Sequence, residues 1–340
     1  MEIAGRPIGT HVSPYIVIEI GAGWRKADPD GSIVELMTAA KDAGADAVKI
    51  QLYKPEDLVL KEAPALKDGL WAGIPLWDLY EQGSLPEEIV PGLFETAAAA
   101  GITLFASVFS KRVIPLLESC GCPAYKIASA EISADQLQWA VGETGKPVVL
   151  STGAAALDDV YTARMNFTHD DVAILHCIPA YPADAEQMEL GRLVELRRHF
   201  DPELVGLSDH SRTHTAAIAA VALGATIIEK HVAFPRTPDA DFALRAYELP
   251  DFVGSVRDAW NAIHAVPAQY AGFNCARSLW ATRDIAAGEP FKLGEDGNFA
   301  VLRPAGGAHP GELAQVLSGK AARNIKKGEP VTLELVHEAG

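Results

Sequence analysis

Two histidines occupy matching places in this chain. His210 follows the short apolar run Val205-Gly206-Leu207, and His231 closes the run Thr226-Ile227-Ile228. Between the runs lies an Ala-rich, helix-compatible stretch, Thr215 to Leu223, stopped by Gly224. The pattern reads strand, helix, strand, with an imidazole at the carboxyl end of each strand. Parallel strands joined by a crossover helix end on the same side of their sheet. The two imidazoles can therefore converge on one divalent cation. A single histidine at a strand end is more simply a structural or surface residue, but two at equivalent positions favour the metal.

Polar residues of a few types recur where other apolar runs stop. In chain order they are Glu19, Lys49 with Gln51, Ser107, Lys126 with Ser129 and Glu131, the turn Ser151-Thr152-Gly153, Tyr181 and Ser208. Two lysines among hydroxyls suit a small substrate carrying a phosphate and a carboxylate. Glu19 and Glu131 are candidates for acid–base work. Either lysine could instead form a Schiff base with a carbonyl substrate. That chemistry needs one such lysine and no metal, so charge pairing is the preferred reading.

What must position these groups is a repeated strand–helix unit. Runs of strand length begin at Tyr15, Ala45, Ile102, Ala124, Pro147, Val172, Leu204 and Thr226. Helix-compatible segments follow them at Ile33 to Ala43, Glu87 to Ala100, Arg112 to Ser119, Ala134 to Val141, Leu157 to Met165, Leu190 to Phe200, Thr215 to Leu223 and Pro250 to Ala265. Eight such units predict an α/β fold, the (β/α)8 TIM barrel, whose active site lies at the carboxyl ends of the strands. A doubly wound open sheet is the structural alternative. It usually shows fewer repeats, and no glycine-rich dinucleotide fingerprint follows the first strand. The connection Leu52 to Leu85 is too long for an ordinary βα loop.

Composition narrows the class further. The chain has 340 residues, 49% apolar and 22% charged, the balance of an ordinary globular protein. A net charge of −16 argues against nucleic acid as a partner. No run approaches the ~18 apolar residues of a membrane span, and the start of the chain lacks a signal-peptide layout. Cys120, Cys122, Cys177 and Cys275 make neither a disulfide framework nor a CxxC site. A reducing, cytoplasmic setting is expected.

After about Gln269 the pattern changes. Thr282-Arg283-Asp284-Ile285-Ala286-Ala287-Gly288-Glu289-Pro290 recurs as Ala322-Arg323-Asn324-Ile325-Lys326-Lys327-Gly328-Glu329-Pro330. This Gly- and Pro-rich tail, with helix signals only at Gly311 to Leu317, predicts a small turn-dominated domain. The expected division is a barrel over 1–268, a linker over 269–276 and the second domain over 277–340. That domain is either an appended stability or dimerisation module or a contributor to the site.

The strings AGADAVKIQLY, PAYKIASAEIS, GKPVVLSTGAA, HC followed by AYP, GLSDHS and ALGATIIEKH stand in order and at matching intervals. Together they resemble the sialic acid synthase family of N-acetylneuraminate, legionaminate and pseudaminate synthases. VLRPAGGAHPGEL and the repeated motif resemble its antifreeze-like SAF domain. Trp71-Ala72-Gly73 through Leu79-Tyr80-Glu81 and GGAHP look more like the pseudaminate branch.

The resemblance implies condensation of phosphoenolpyruvate with the open-chain aldehyde of an N-acylated amino sugar, releasing phosphate. It also implies a homodimer with swapped SAF domains. It assigns Lys49, Ser107, Lys126, Ser129, Ser151 and Ser208 to phosphoenolpyruvate. It gives His210 and His231 to a divalent metal, Mn2+ first and Mg2+ or Co2+ as alternatives. Glu19, Gln51, Glu131, Tyr181 and Asp241 fall on acceptor or acid–base positions, with Glu131, Glu19, Lys49 and Asp241 as the catalytic set. Arg303 matches an arginine that reaches the partner subunit's acceptor.

Three stretches depart from the family pattern: Gly21 to Lys26 (including Gly23 and Trp24), Pro179, and Asp239 to Leu249, where Asp241 is preferred to Asp239. They predict an unusual acceptor. The competing functional readings are a Schiff-base aldolase and a non-catalytic carbohydrate-binding protein. Paired lysines and paired histidines speak against the second.

Overall fold

The computed structural model describes residues 1–153, 155–265 and 275–338. Eight parallel strands close into a barrel. They are β1 (Tyr15–Glu19), β2 (Ala47–Leu52), β3 (Thr103–Val108), β4 (Tyr125–Ile127), β5 (Val148–Ser151), β6 (Val172–Cys177), β7 (Val205–Asp209) and β8 (Ile227–His231). The ring shuts where β8 pairs with β1, from Ile227 opposite Tyr15 to His231 opposite Glu19. The TIM-type barrel read from the repeats is the observed fold. The open doubly wound sheet is excluded by this closing pair.

The strands are followed in turn by α1 (Pro29–Asp42), α2 (Val90–Ala100), α3 (Ile114–Ser119), α4 (Asp135–Gly142), α5 (Leu157–Met165), α6 (Gly191–His199), α7 (Thr215–Ala222) and α8 (Leu249–His264). Their start and stop signals are local. Asp28 caps α1 by accepting from the Gly31 amide, with Pro29 at the first helical position. The helix therefore begins one turn before the expected Ile33. Gly101, at φ 71°, ends α2 in the left-handed conformation that costs glycine least. On α1, Ile33, Leu36, Met37 and Ala40 are buried, the i, i+3, i+4, i+7 stripe that packs a helix on its sheet. Each large side chain in such a stripe contributes about 1.5–3 kcal/mol by leaving water.

Arg112, expected to start α3, instead lies in a 3-10 turn, Lys111–Val113, that leads into it. The long connection after β2 is not featureless: it holds helical segments Pro55–Leu58 and Leu76–Gly83. No helix among the described residues is long and apolar enough to cross a membrane.

The chain separates into two compact units, Met1–Ala265 and Val266–Gly340. Residues 269–274 of the expected linker lie outside the described residues. In the second unit β9 (Ser278–Ala281) pairs with β10 (Phe299–Leu302), and β11 (Gly319–Ala321) with β12 (Val336–Glu338), both antiparallel. Two-stranded ribbons are marginal alone, and the sequence repeat is what joins these two. Ile285 bridges Ile325, and both are buried. The Gly288 amide donates to the Ala321 carbonyl (2.7 Å) and the Gly328 amide to the Ala281 carbonyl (2.9 Å), so each copy of the motif is tied to the strand that precedes the other. Within each copy the arginine pairs with the glutamate, Arg283 with Glu289 and Arg323 with Glu329.

Candidate active site

Side chains alternate along a strand, so every second residue of the barrel points inward. Strand register then brings chosen residues level with each other. Glu19 stands opposite Lys49, Gln51 opposite Ser107, Ser107 opposite Lys126, and Ser208 opposite Glu229. The result is a narrow well of about 50 Å³ at the carboxyl ends of the strands, into which Lys49, Ser107, Lys126, Ser151, Ser208 and Glu229 all open. Gln51, Ser129, Tyr181, His210 and His231 complete its rim. Sequence-derived candidates from seven strand ends are thus brought together.

The well is lined by buried charges. Lys49 and Lys126 are only 2% and 3% exposed. Lys49 is ion-paired with Glu19, lies 3.7 Å from Glu229 Oε2 and donates to Ser107 Oγ at 2.7 Å. Burial opposes its charge, but Glu19 and Glu229 outweigh burial and hold the ammonium above its ordinary range. Such a fixed cation ill suits the free amine of a Schiff base. Burial, reinforced by Lys49, pulls Lys126 below its usual range against the attraction of Glu229. Glu229 is the counterpart: burial resists its ionisation, yet Lys126 and Lys49 lower its pKa to about 2. The Ser151 hydroxyl is sealed from solvent with no hydrogen-bond partner among the described residues. An orphaned buried donor beside two lysines is a natural anchor for a ligand oxygen.

The histidines face each other at the rim with ring centroids 5.4 Å apart. His210 Nδ1 lies 2.8 Å from the Ile178 carbonyl, and His231 Nδ1 lies 3.0 Å from Asp239 Oδ2. Those partners accept, so each Nδ1 carries the hydrogen and Nε2 is the nitrogen left for a ligand. Burial and the neighbouring His231 push the His210 pKa down to about 3, which keeps that ring neutral. The pair therefore fits a divalent cation. No cluster of three or more potential ligands forms among the described residues, so the remaining coordination would fall to substrate and water.

A second chamber of about 300 Å³ adjoins the well, sharing Gln51, Ser129, Tyr181 and His231 with it. Its walls are largely apolar and aromatic. The long β2–α2 connection supplies Tyr53, Leu66, Trp71, Leu79 and Tyr80. Trp71 packs on Tyr181 (5.3 Å) and Phe242 (6.2 Å), and its indole donates to the Pro238 carbonyl at 3.2 Å. Glu131 is the acid of this chamber. Its Oε2 is sealed without a partner among the described residues, and burial raises its pKa to about 7, partly offset by Lys126.

Three candidates fall elsewhere. Asp241 is exposed and lines neither chamber, so its assignment is corrected: the carboxylate at the site is Asp239, 6% exposed, accepting from the Ala22 amide as well as His231. Gly21, at φ 51°, makes room for it, since a Cβ there would sit 2.4 Å from Asp239 Oδ2. Glu19 also lines neither chamber. It is fully buried against Lys49, a counterion rather than an acceptor contact. Arg303 is exposed in the second unit, with no hydrogen bond or ion pair among the described residues.

Glu229 went unnoticed in the sequence, although it lies two residues before His231 and must share its face. Asp239 sits on a loop, where no periodicity marks it. The departures at Trp24 and Pro179 do not reach either chamber.

This architecture is matched among known proteins. The NeuB family profile covers residues 36–266 and the SAF domain profile residues 276–336. A pseudaminic acid synthase of Campylobacter jejuni is 37% identical, over 93% of this chain and 94% of its own length. One of Helicobacter pylori is 34% identical, over 94% and 97%. The crystal structure of an N-acetylneuraminic acid synthetase from Leptospira borgpetersenii superposes with a TM-score of 0.70 at 25% identity, covering 79% of this chain and 92% of that one. With that profile over most of the barrel and relatives above 30% identity along nearly its whole length, this chain belongs to the NeuB family.

Proposed function

We propose that the protein condenses phosphoenolpyruvate with the open-chain aldehyde of an N-acylated amino sugar, giving a nonulosonic acid and phosphate. The observation that carries this reading is the pair of chambers. A small well with two buried lysines suits a phosphate and a carboxylate on three carbons, and an aromatic chamber of about 300 Å³ suits a sugar with apolar substituents. The synthase names of the relatives support the same reaction class.

The residues divide the work. Lys49 and Lys126 bind the phosphate and carboxylate, with Ser107, Ser129 and Ser151 donating hydrogen bonds, while Ser208, beside the same anion, donates to Glu229 Oε1 at 2.9 Å. Glu19 and Glu229 already offset both ammonium charges, so an anionic substrate calls for a further cation at His210 and His231. Such a dication, with Mn2+ as the first choice, would supply Lewis-acid polarisation of the acceptor carbonyl. Gln51 and Tyr181, shared by both chambers, orient the acceptor against the enol carbon.

Carbon C3 of phosphoenolpyruvate attacks the aldehyde carbon, and the carbonyl oxygen takes the proton of Glu131. Water then captures the cation at C2 and returns a proton to the Glu131 carboxylate. The bond from C2 to the phosphate oxygen then breaks, and the departing phosphate takes the C2 hydroxyl proton as C2 becomes a ketone. Holding both reactants together supplies about 7–11 kcal/mol of the barrier. The four free thiols and the use of phosphoenolpyruvate fit a cytoplasmic enzyme.

The reading is tested by incubating the protein with phosphoenolpyruvate, Mn2+ and a panel of N-acyl and di-N-acyl hexoses. Phosphate release that depends on one acceptor is the expected result, and its absence across the panel would reject the proposal. His231→Ala is expected to abolish turnover or raise the Mn2+ requirement at least tenfold. Normal rates in that variant after chelation would remove the metal from the reaction.

Arg303 is assigned to the acceptor bound in the partner subunit of a homodimer with swapped SAF domains. Its lack of an ion pair among the described residues supports the assignment. At subsaturating phosphoenolpyruvate, mixing the impaired Arg303→Ala and Lys126→Met proteins should raise activity above either alone as subunits exchange, because each hybrid dimer holds one intact site. Hybrids that form without that gain would confine Arg303 to its own subunit.

A further inference from the structure

One buried ion pair lies outside both chambers yet touches the residues on which the site depends. Lys230 and Asp209 stand directly opposite each other on β8 and β7, and each immediately precedes one of the facing histidines. Alternation turns them away from the barrel axis, so neither opens into the well. Lys230 is 1% exposed, Asp209 is fully buried, and Nζ lies 5.7 Å from the centre of the Phe252 ring on α8.

The ammonium donates to Asp209 Oδ2 at 2.9 Å, to the Ser211 carbonyl and to the Thr213 carbonyl at 3.2 Å. Asp209 Oδ1 accepts from the Ser211 amide at 2.8 Å. A single side chain on β8 therefore gathers the chain on both sides of His210. The His210 carbonyl in turn accepts from the Ala183 amide, which holds the segment bearing Tyr181.

We propose that the Lys230–Asp209 pair is a positioning clamp: it fixes β7 and the turn after it against β8, and so sets the separation and aim of the His210 and His231 imidazoles. The inference rests on those histidines being the metal ligands. A buried pair contributes little net stability compared with well-packed apolar side chains, whereas removing one partner strands the other charge. What an apolar pair cannot supply is the set of directed hydrogen bonds to Ser211 and Thr213. Geometry at His210, rather than stability, is what the ion pair provides.

Two variants separate the two contributions: Lys230→Met, and the double variant Lys230→Met with Asp209→Leu. Each full-length protein is stripped with chelator and titrated with Mn2+, following the spectrum of the free ion by electron paramagnetic resonance, and its Tm is recorded without metal. Lys230→Met should lower Tm and weaken Mn2+ binding by roughly 10- to 100-fold, the usual effect of losing support behind a ligand. The double variant should regain most of the Tm while its Mn2+ binding stays weak. Recovery of both together, or wild-type Mn2+ affinity in the destabilised single variant, would make the pair merely structural and overturn the proposal. Failure of the wild-type protein to bind Mn2+ would instead remove the metal reading on which the clamp depends.

Discussion

Lys126→Met should raise the KM for phosphoenolpyruvate by roughly tenfold to a hundredfold, the effect of losing one charge-assisted contact worth about 1.5–3 kcal/mol. The effect on kcat/KM should be larger still, because Lys126 also balances the buried Glu229 carboxylate. Methionine nearly preserves the volume of the lysine stem, so packing beneath the well changes little. Without the ammonium, Glu229 faces an incoming anion with only Lys49, already paired with Glu19, to offset it. Steady-state kinetics with each substrate varied in turn decide the matter. If only the sugar constant moves, the well does not bind phosphoenolpyruvate.

The second large effect is expected at Glu131. General acid–base groups contribute roughly 10²–10⁴-fold, and Glu131→Gln should slow turnover by that amount at pH 6.5. Burial holds the Glu131 pKa at about 7. An acid that must start protonated is fully competent below that value and is lost as pH rises through it. The wild-type rate should therefore fall on the alkaline side of pH 7, and the Gln variant should lack that limb. A variant that keeps both the rate and the limb would assign the proton to another group.

Stability carries the same signature. The folded-state pKa lies above the value of about 4.5 expected in the unfolded chain, so the native state holds the proton more tightly. That contribution is complete below pH 4.5 and is lost as pH rises towards 7. The fall in Tm between pH 5 and pH 8 should shrink in Glu131→Gln.

The aromatic chamber draws its walls from distant parts of the chain. Most of its apolar wall comes from the connection between β2 and α2, a stretch whose aromatic residues are scattered in sequence. Trp71, Tyr181 and Phe242 come from three different loops and meet over His210 and His231. A substituent on the acceptor would be recognised there by contact area and shape, with Glu131 the nearby acid.

Much of the molecule was determined by local signals in the chain. Eight alternations of apolar run and helix, some marked by a cap or a glycine stop, leave a closed parallel barrel as the simplest way to bury every strand. The period of two then puts Lys49, Gln51, Ser107, Lys126, Ser151, Ser208, His210 and His231 on inner faces at one end. Those assignments depend only on parity and strand direction, which neighbouring residues dictate. What tertiary structure alone decided is which carboxylate meets which cation. Glu19 and Glu131 look alike as strand-end acids, yet register places Glu19 beside Lys49 and leaves Glu131 in an apolar wall where burial raises its pKa. Asp239 and Asp241 differ by two positions on an irregular loop, where no periodicity chooses between them. The close approach at Gly21 brings Asp239 to His231 and leaves Asp241 in solvent, because a carboxylate is oriented by the partners that surround it in space.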